Sequence, residues 1–170
     1  MRATTVLEDA FSRIRDVGWD AVQGLTDEEL TYRVEDQTNT VAWLIWHLAR
    51  VQDDHIAEAA GTEQVWAKDG WVDRFGLPFD ERAVGFGQDA DEVAQVRAGQ
   101  DLLVGYLEAV LDRSAEYLAS LSDDDLDRVV DDKWDPPVTL GVRLMSIIAD
   151  DLQHAGQAAL LRGIILRRRD

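Results

Sequence analysis

The sequence predicts an all-α fold of the four-helix-bundle kind. Three observations carry that expectation. Apolar residues recur at spacings of three and four through four long stretches, the period of an amphipathic helix. Only three prolines interrupt 170 residues. Helix-capping residues stand where the stretches begin. The length suits one domain, read here as residues 1–170, with a core that needs no disulfide or structural metal. With 46% apolar and 30% charged residues the chain reads as globular and not disordered.

The first long helix is expected over residues 4–20, where Val6, Leu7, Ala10, Phe11, Ile14 and Val17 keep the helical period. Gly24 and Leu25 end it. Thr26-Asp27-Glu28-Glu29 then has the form of a capping box and opens a short helix to Val34. Asn39 or Thr40 caps the second long helix, 40–60, with the core stripe Val41, Leu44, Leu48, Val51 and His55 and a stop at Gly61. Residues 62–90 carry Trp66, Trp71, Phe75, Phe79 and Phe86 among glycines and read as a long crossover with a short helix at 63–71. The third long helix is placed at 91–118. Ser122-Asp123-Asp124-Asp125 starts another short helix, Trp134-Asp135-Pro136-Pro137 makes a rigid turn, and Thr139 caps the last long helix, 140–166. Leu25–Leu30 parallels Leu121–Leu126, and each copy leads through an irregular stretch and a Thr cap into a long helix. That parallel suggests two related halves; capping boxes also look alike everywhere.

Composition removes several functions. Cysteine is absent, which excludes disulfides, Cys-ligated zinc and a cysteine nucleophile. The net charge of -17 disfavours nucleic acid and anionic membrane as partners. No apolar run approaches the 18 or so residues of a membrane span, and the first residues lack the apolar core of a signal peptide. A cytoplasmic location is the expectation. The tail Arg167-Arg168-Arg169 is expected to lie at the negative end of the last helix dipole.

The chemistry-bearing residues fall on two helices. Trp43, His47, Arg50, Asp54 and Glu58 form a flank beside the apolar stripe of the second helix; Arg143, Asp150, His154, Gln157 and Leu161 do the same on the last. Asp150 and His154 lie one turn apart on one face, so they can grip a cation together, with His47 as a third ligand from the facing helix. Two imidazoles and a carboxylate suit zinc, nickel, iron or manganese. This site requires the His47 and His154 nitrogens to lie within roughly 6 Å of each other. Asp151 rivals Asp150 as the carboxylate, although it projects nearer the apolar centre, where an unpaired carboxylate is costly. His55 reads as a satisfied core histidine or a partner of a ligand. The usual role of such an Asp–His pair is a surface hydrogen bond.

Asn39-Thr40-Val41-Ala42-Trp43-Leu44-Ile45-Trp46-His47-Leu48 and Asp150-Asp151-Leu152-Gln153-His154-Ala155-Gly156-Gln157 resemble the two signature helices of the DinB/YfiT-like superfamily. The stretches around Val51–Trp66 and Trp134–Thr139 resemble its actinobacterial mycothiol-transferase branch, which is related to the mycothiol-dependent maleylpyruvate isomerase. The resemblance implies an up-down-down-up bundle and a divalent metal held by His47 and by an i, i+4 pair ending at His154. Asp150 stands where the family usually has His or Glu. It further implies a metal-dependent S-transferase joining a low-molecular-weight thiol, mycothiol, to an electrophile, with zinc as the expected ion. Arg50 or Arg143 would hold a carboxylate of thiol or substrate, or else pair at the surface. A metal-dependent hydrolase or isomerase, and a stress-related binding protein without chemistry, are the rival readings. A homodimer is open.

Overall fold

The computed structural model describes residues 2–169. Four long helices dominate it: α1 (Ala3–Val22), α3 (Val41–Ala60), α7 (Gln100–Ala119) and α8 (Leu140–Leu166). Short helices α2 (Asp27–Leu30), α4 (Val65–Lys68), α5 (Trp71–Phe75) and α6 (Ala90–Val93) decorate the connections, with a 3₁₀ turn at Asp123–Asp127. A small antiparallel hairpin, β1 (Val129–Asp131) with β2 (Val138–Thr139), precedes α8. No helix among the described residues is long and apolar enough to cross a membrane.

Side-chain contacts fix the helix directions. Thr4 at the start of α1 meets Asp123, just past the end of α7, while Gln23 after α1 meets Gln100 at the start of α7, so these two run antiparallel. Gln52 bonds Ser114 and Tyr117 bonds the Ala59 carbonyl, so α3 runs with α7. His47 faces Asp150 whereas His55 faces Arg143, so α3 and α8 are antiparallel. The order is up-down-down-up. α1 and α3 each pack against both α7 and α8 and lie diagonally opposite one another.

The caps act where the sequence places them. Thr26 and Glu29 form a reciprocal box, Thr40 Oγ1 accepts from the Trp43 amide at 3.0 Å, and Gly61 ends α3 at φ 66°, a left-handed turn suited to glycine. Three helix boundaries differ from expectation. The third long helix does not run from 91 to 118. Asp89 caps the short α6, the chain breaks after Val93, and α7 starts at Gln100. The break lets Val96 and Ala98 turn into the core and lets Gly99 pass so close to α2 that a Cβ there would meet Asp27 Oδ1 at 2.9 Å. Gly70, at φ +71°, splits the expected helix at 63–71 into α4 and α5. The helix after Thr26 ends at Leu30, short of Val34, and the hairpin was not expected. The basic tail follows the C-terminal end of α8 directly, and Arg169 reaches across to Glu29, with Nε donating to Oε1 at 2.6 Å, and to the Gly24 carbonyl.

The largest difference concerns α3. Every residue from Val41 to Arg50 is buried, not only one stripe. The 76–89 segment of the crossover lies over the face that the sequence leaves at the border of water, through Val84 against His47 and Gln88 against Trp43.

Candidate functional site

α3 and α8 cross with their polar flanks facing. His47 on α3 and Asp150 and His154 on α8 present one ligand atom each, and the three atoms lie within 4.8 Å of one another. His47 Nε2 stands 4.0 Å from Asp150 Oδ2, and His154 Nε2 stands 3.6 Å from Asp150 Oδ1. The two imidazoles meet edge to face with centroids 4.8 Å apart. Trp43, one turn before His47, stacks on its ring at 4.5 Å and 15° and holds it in plane.

The far nitrogen of each imidazole is committed. His47 Nδ1 bonds the Val84 carbonyl, which only accepts, so Nδ1 carries the hydrogen and Nε2 keeps its lone pair. His154 Nδ1 meets Gln157 Oε1 at 2.9 Å, which assigns the same tautomer to the second ring. In the neutral rings both Nε2 lone pairs therefore face Asp150. Outer partners of this kind orient metal-binding histidines. Asp150 Oδ2 is buried and accepts no hydrogen bond from a described residue.

These features fit a divalent ion. Two ligand atoms bound at about 2 Å are at most about 4 Å apart, so closure on an ion needs the widest pair to shift by less than about 1 Å. Charge is matched as well. In the metal-free chain a protonated His154, whose Nε2–H faces Asp150, holds the Asp150 carboxyl below its usual range. Asp150 in turn raises His154, so ion binding would displace a proton from that ring. Burial lowers His47 and favours the neutral ring that a metal needs.

Asp151 is fully buried, and neither of its oxygens accepts a hydrogen bond from a described residue. Burial, then the nearby Asp150 charge, pushes its carboxyl well above the usual range. Neither a histidine nor a helix cap among the described residues donates to it, and His55 Nδ1 is taken by Arg143 at 3.0 Å.

The two candidate arginines are placed differently from each other. Arg50 does not line the cleft. Its guanidinium is wholly buried, donates to Ala83 O, Glu81 O, Gln64 Oε1 and the Tyr106 hydroxyl, and lies 3.6 Å from Asp53. It is neither a surface group nor open to a ligand. Arg143 spans His55 and Asp131, with NH2 donating to Asp131 Oδ2 at 3.1 Å. The hairpin supplies Asp131, so an element absent from the sequence reading fixes this arginine.

A cleft of about 430 Å³ opens beside His47 and Asp150, lined by Val51, Asp54, His55, Val84, Phe86 and Ser146. That volume lies in the range of small-molecule sites. Gly85 is a site residue that sequence reasoning missed. It has φ +92°, and a Cβ there would meet His47 Nδ1 at 2.8 Å and Trp46 at 3.0 Å. The Val84-Gly85-Phe86-Gly87 run, two glycines around an aromatic in a crossover, is the signal that could have found it.

Residues 6–166 match the family model described as mycothiol S-transferase. The chain belongs to the mycothiol S-transferase family. A match over nearly the whole chain agrees with the signature helices that hold His47 and His154. Among solved structures, a conserved protein from Enterococcus faecalis is similar, with 29% identity over 98% of each chain and a TM-score of 0.90. No curated protein matches the chain. In this chain the bundle is up-down-down-up, and α3 and α8 bring His47, Asp150 and His154 together.

Proposed function

We propose that this chain is a divalent-metal-dependent S-transferase that joins mycothiol to an electrophilic small molecule, with His47, Asp150 and His154 holding the ion. One observation carries the reading: two imidazole Nε2 atoms and a carboxylate oxygen face one another beside a cleft, with both Nδ1 atoms bound elsewhere. The donor set of two nitrogens and an oxygen favours zinc, and also serves nickel, iron or manganese. Bound there, the ion supplies positive charge that lowers the pKa of a thiol.

The remaining work falls to the chain. The Val84 carbonyl and Gln157 hold the two histidines in their metal-binding tautomers. Val51, Val84 and Phe86 give the cleft apolar walls on which a small electrophile can settle. The lack of any cysteine leaves the small-molecule thiol without a competitor. A reducing cytoplasm, where such thiols persist, is the compartment this chemistry suits.

The test incubates zinc-loaded protein with mycothiol and an electrophile and follows loss of free thiol. Thiol is consumed faster than in protein-free buffer, and His154→Ala abolishes the difference. Turnover of the electrophile without thiol would mark a hydrolase or isomerase instead. No turnover in either case would leave a binding protein.

A further inference from the structure

The cleft holds a second histidine whose state is set by an arginine. His55 lies two turns beyond His47 on α3 and lines the same cleft. Arg143 NH1 lies 3.0 Å from His55 Nδ1. A guanidinium only donates, so Nδ1 must accept, which leaves the ring's hydrogen on Nε2. Asp54 Oδ2 is a nearby group that would favour a hydrogen on Nδ1. It stands 3.8 Å away, too far for a hydrogen bond. The other oxygen of Asp54 accepts from Gln64 at 2.7 Å. Arg143 is itself fixed by Asp131 and stands near Glu58. Burial and the Arg143 charge lower the His55 pKa, in the direction the geometry requires.

His55 Nε2 makes no hydrogen bond to a described residue, and His55 lines the cleft. The other polar side chains that line the cleft offer no donor. The Ser146 hydroxyl donates to the Val142 carbonyl at 2.9 Å, His47 presents a lone pair, and Asp54 and Asp150 are carboxylates. Two carboxylates repel an anion, so the oxygen that suits this donor is neutral. The apolar walls suit the carbon skeleton that carries it.

We infer that His55 Nε2–H is the hydrogen-bond donor for a neutral carbonyl oxygen of the electrophile, and that the substrate class is an apolar α,β-unsaturated carbonyl compound. The assignment rests on the S-transferase reading for its chemical step. In that step the thiolate electron pair forms a bond from sulfur to the β-carbon, and the carbon–carbon π bond breaks. Its electrons move to the carbonyl oxygen, which becomes an enolate oxygen accepting from His55 Nε2–H. The proton that the thiol released to solvent returns to the α-carbon, and the carbonyl re-forms. A donor aimed at an oxygen that gains charge strengthens its bond as the reaction proceeds. His55 would then be a catalytic residue.

Two measurements test this. The first follows the His55 ring by nitrogen-15 NMR in metal-free, thiol-free protein near neutral pH, with and without cyclohexanone, a ketone that cannot react. The expected result is the Nε2–H tautomer and a shift of Nε2 on adding ketone. An Nδ1–H or doubly protonated ring, or no response to ketone, overturns the assignment. The second compares mycothiol addition to cyclohexenone with displacement on benzyl bromide, which has no oxygen. His55→Leu slows the enone reaction by about 100-fold more than it slows the bromide reaction. His55→Gln, which keeps an N–H donor, recovers most of the enone rate. Equal slowing of both electrophiles, or no slowing of either, overturns the assignment. A wild type inactive on both electrophiles but showing the expected NMR response would end the S-transferase reading and leave the His55 carbonyl site standing.

Discussion

A histidine can bind a metal through Nε2 only if Nε2 is unprotonated, and at His47 one backbone carbonyl arranges this. Val84 O reaches His47 because Gly85 turns the chain at φ +92° with no Cβ to strike the ring. Gly85→Ala is therefore expected to displace the 84–86 segment and lower zinc affinity by about 10–100-fold, read by competition with a chromogenic chelator; unchanged affinity would show that the carbonyl is not needed. Asp151 is the opposite case, a carboxyl with no compensating partner. Its folded-state pKa is raised above the ordinary 3.8, so above that pH the native chain holds a proton that the unfolded chain loses. Stability falls as pH rises through this window. Asp151→Asn does not titrate, so in metal-free protein it should raise Tm at pH 7 and by less at pH 4.5. A Tm lowered at pH 7 would point to a partner for this carboxylate. Asp150 and His154 were legible from the sequence because i, i+4 spacing fixes their common face. The role of Asp151 was not, because spacing says which way a side chain points and nothing about who meets it.

The helices themselves were readable from period and caps, and the segments that bury the site were not. α3 looks amphipathic in isolation, with His47 and Arg50 at its border. In the fold the crossover covers that border, so Arg50 became a wholly buried tie between α3, α4 and the 81–83 backbone. Asp53 joins the same tie by accepting from the Val65 and Trp66 amides at 2.9 and 2.8 Å and from the Tyr106 hydroxyl. Arg50→Ala leaves the buried Asp53 carboxylate without its cation and should cost about 3–5 kcal/mol in urea unfolding. Arg50→Lys keeps a charge and loses the fork that reaches two carbonyls and Gln64. It should fold, with faster amide exchange across 81–88 and weaker zinc binding. Unchanged exchange there would separate Arg50 from the loop that holds Val84. The split of the expected third helix follows similar logic: a continuous helix satisfies local propensity, but only the break at 94–99 lets both Val96 and Ala98 enter the core.

At the scale of the molecule, the up-down-down-up order makes α3 and α8 antiparallel neighbours, which is what sets a histidine 47 residues into the chain against a pair near its end. The order followed from the family resemblance and not from the helical period, which is blind to how long connections route the chain. A metal that binds only the folded state also stabilises it, by about 2.7 kcal/mol at one hundred times its dissociation constant. Metal content and Tm should therefore move together. The central claim is that His47, Asp150 and His154 form one divalent-metal site. Equilibrium dialysis against zinc with elemental analysis, on wild type, Asp150→Ala, His154→Ala and Asp151→Asn, tests it most directly. The account predicts one bound zinc per chain in wild type and Asp151→Asn and none in Asp150→Ala or His154→Ala. Zinc kept by Asp150→Ala and lost by Asp151→Asn, or no zinc bound by the wild type, would contradict it.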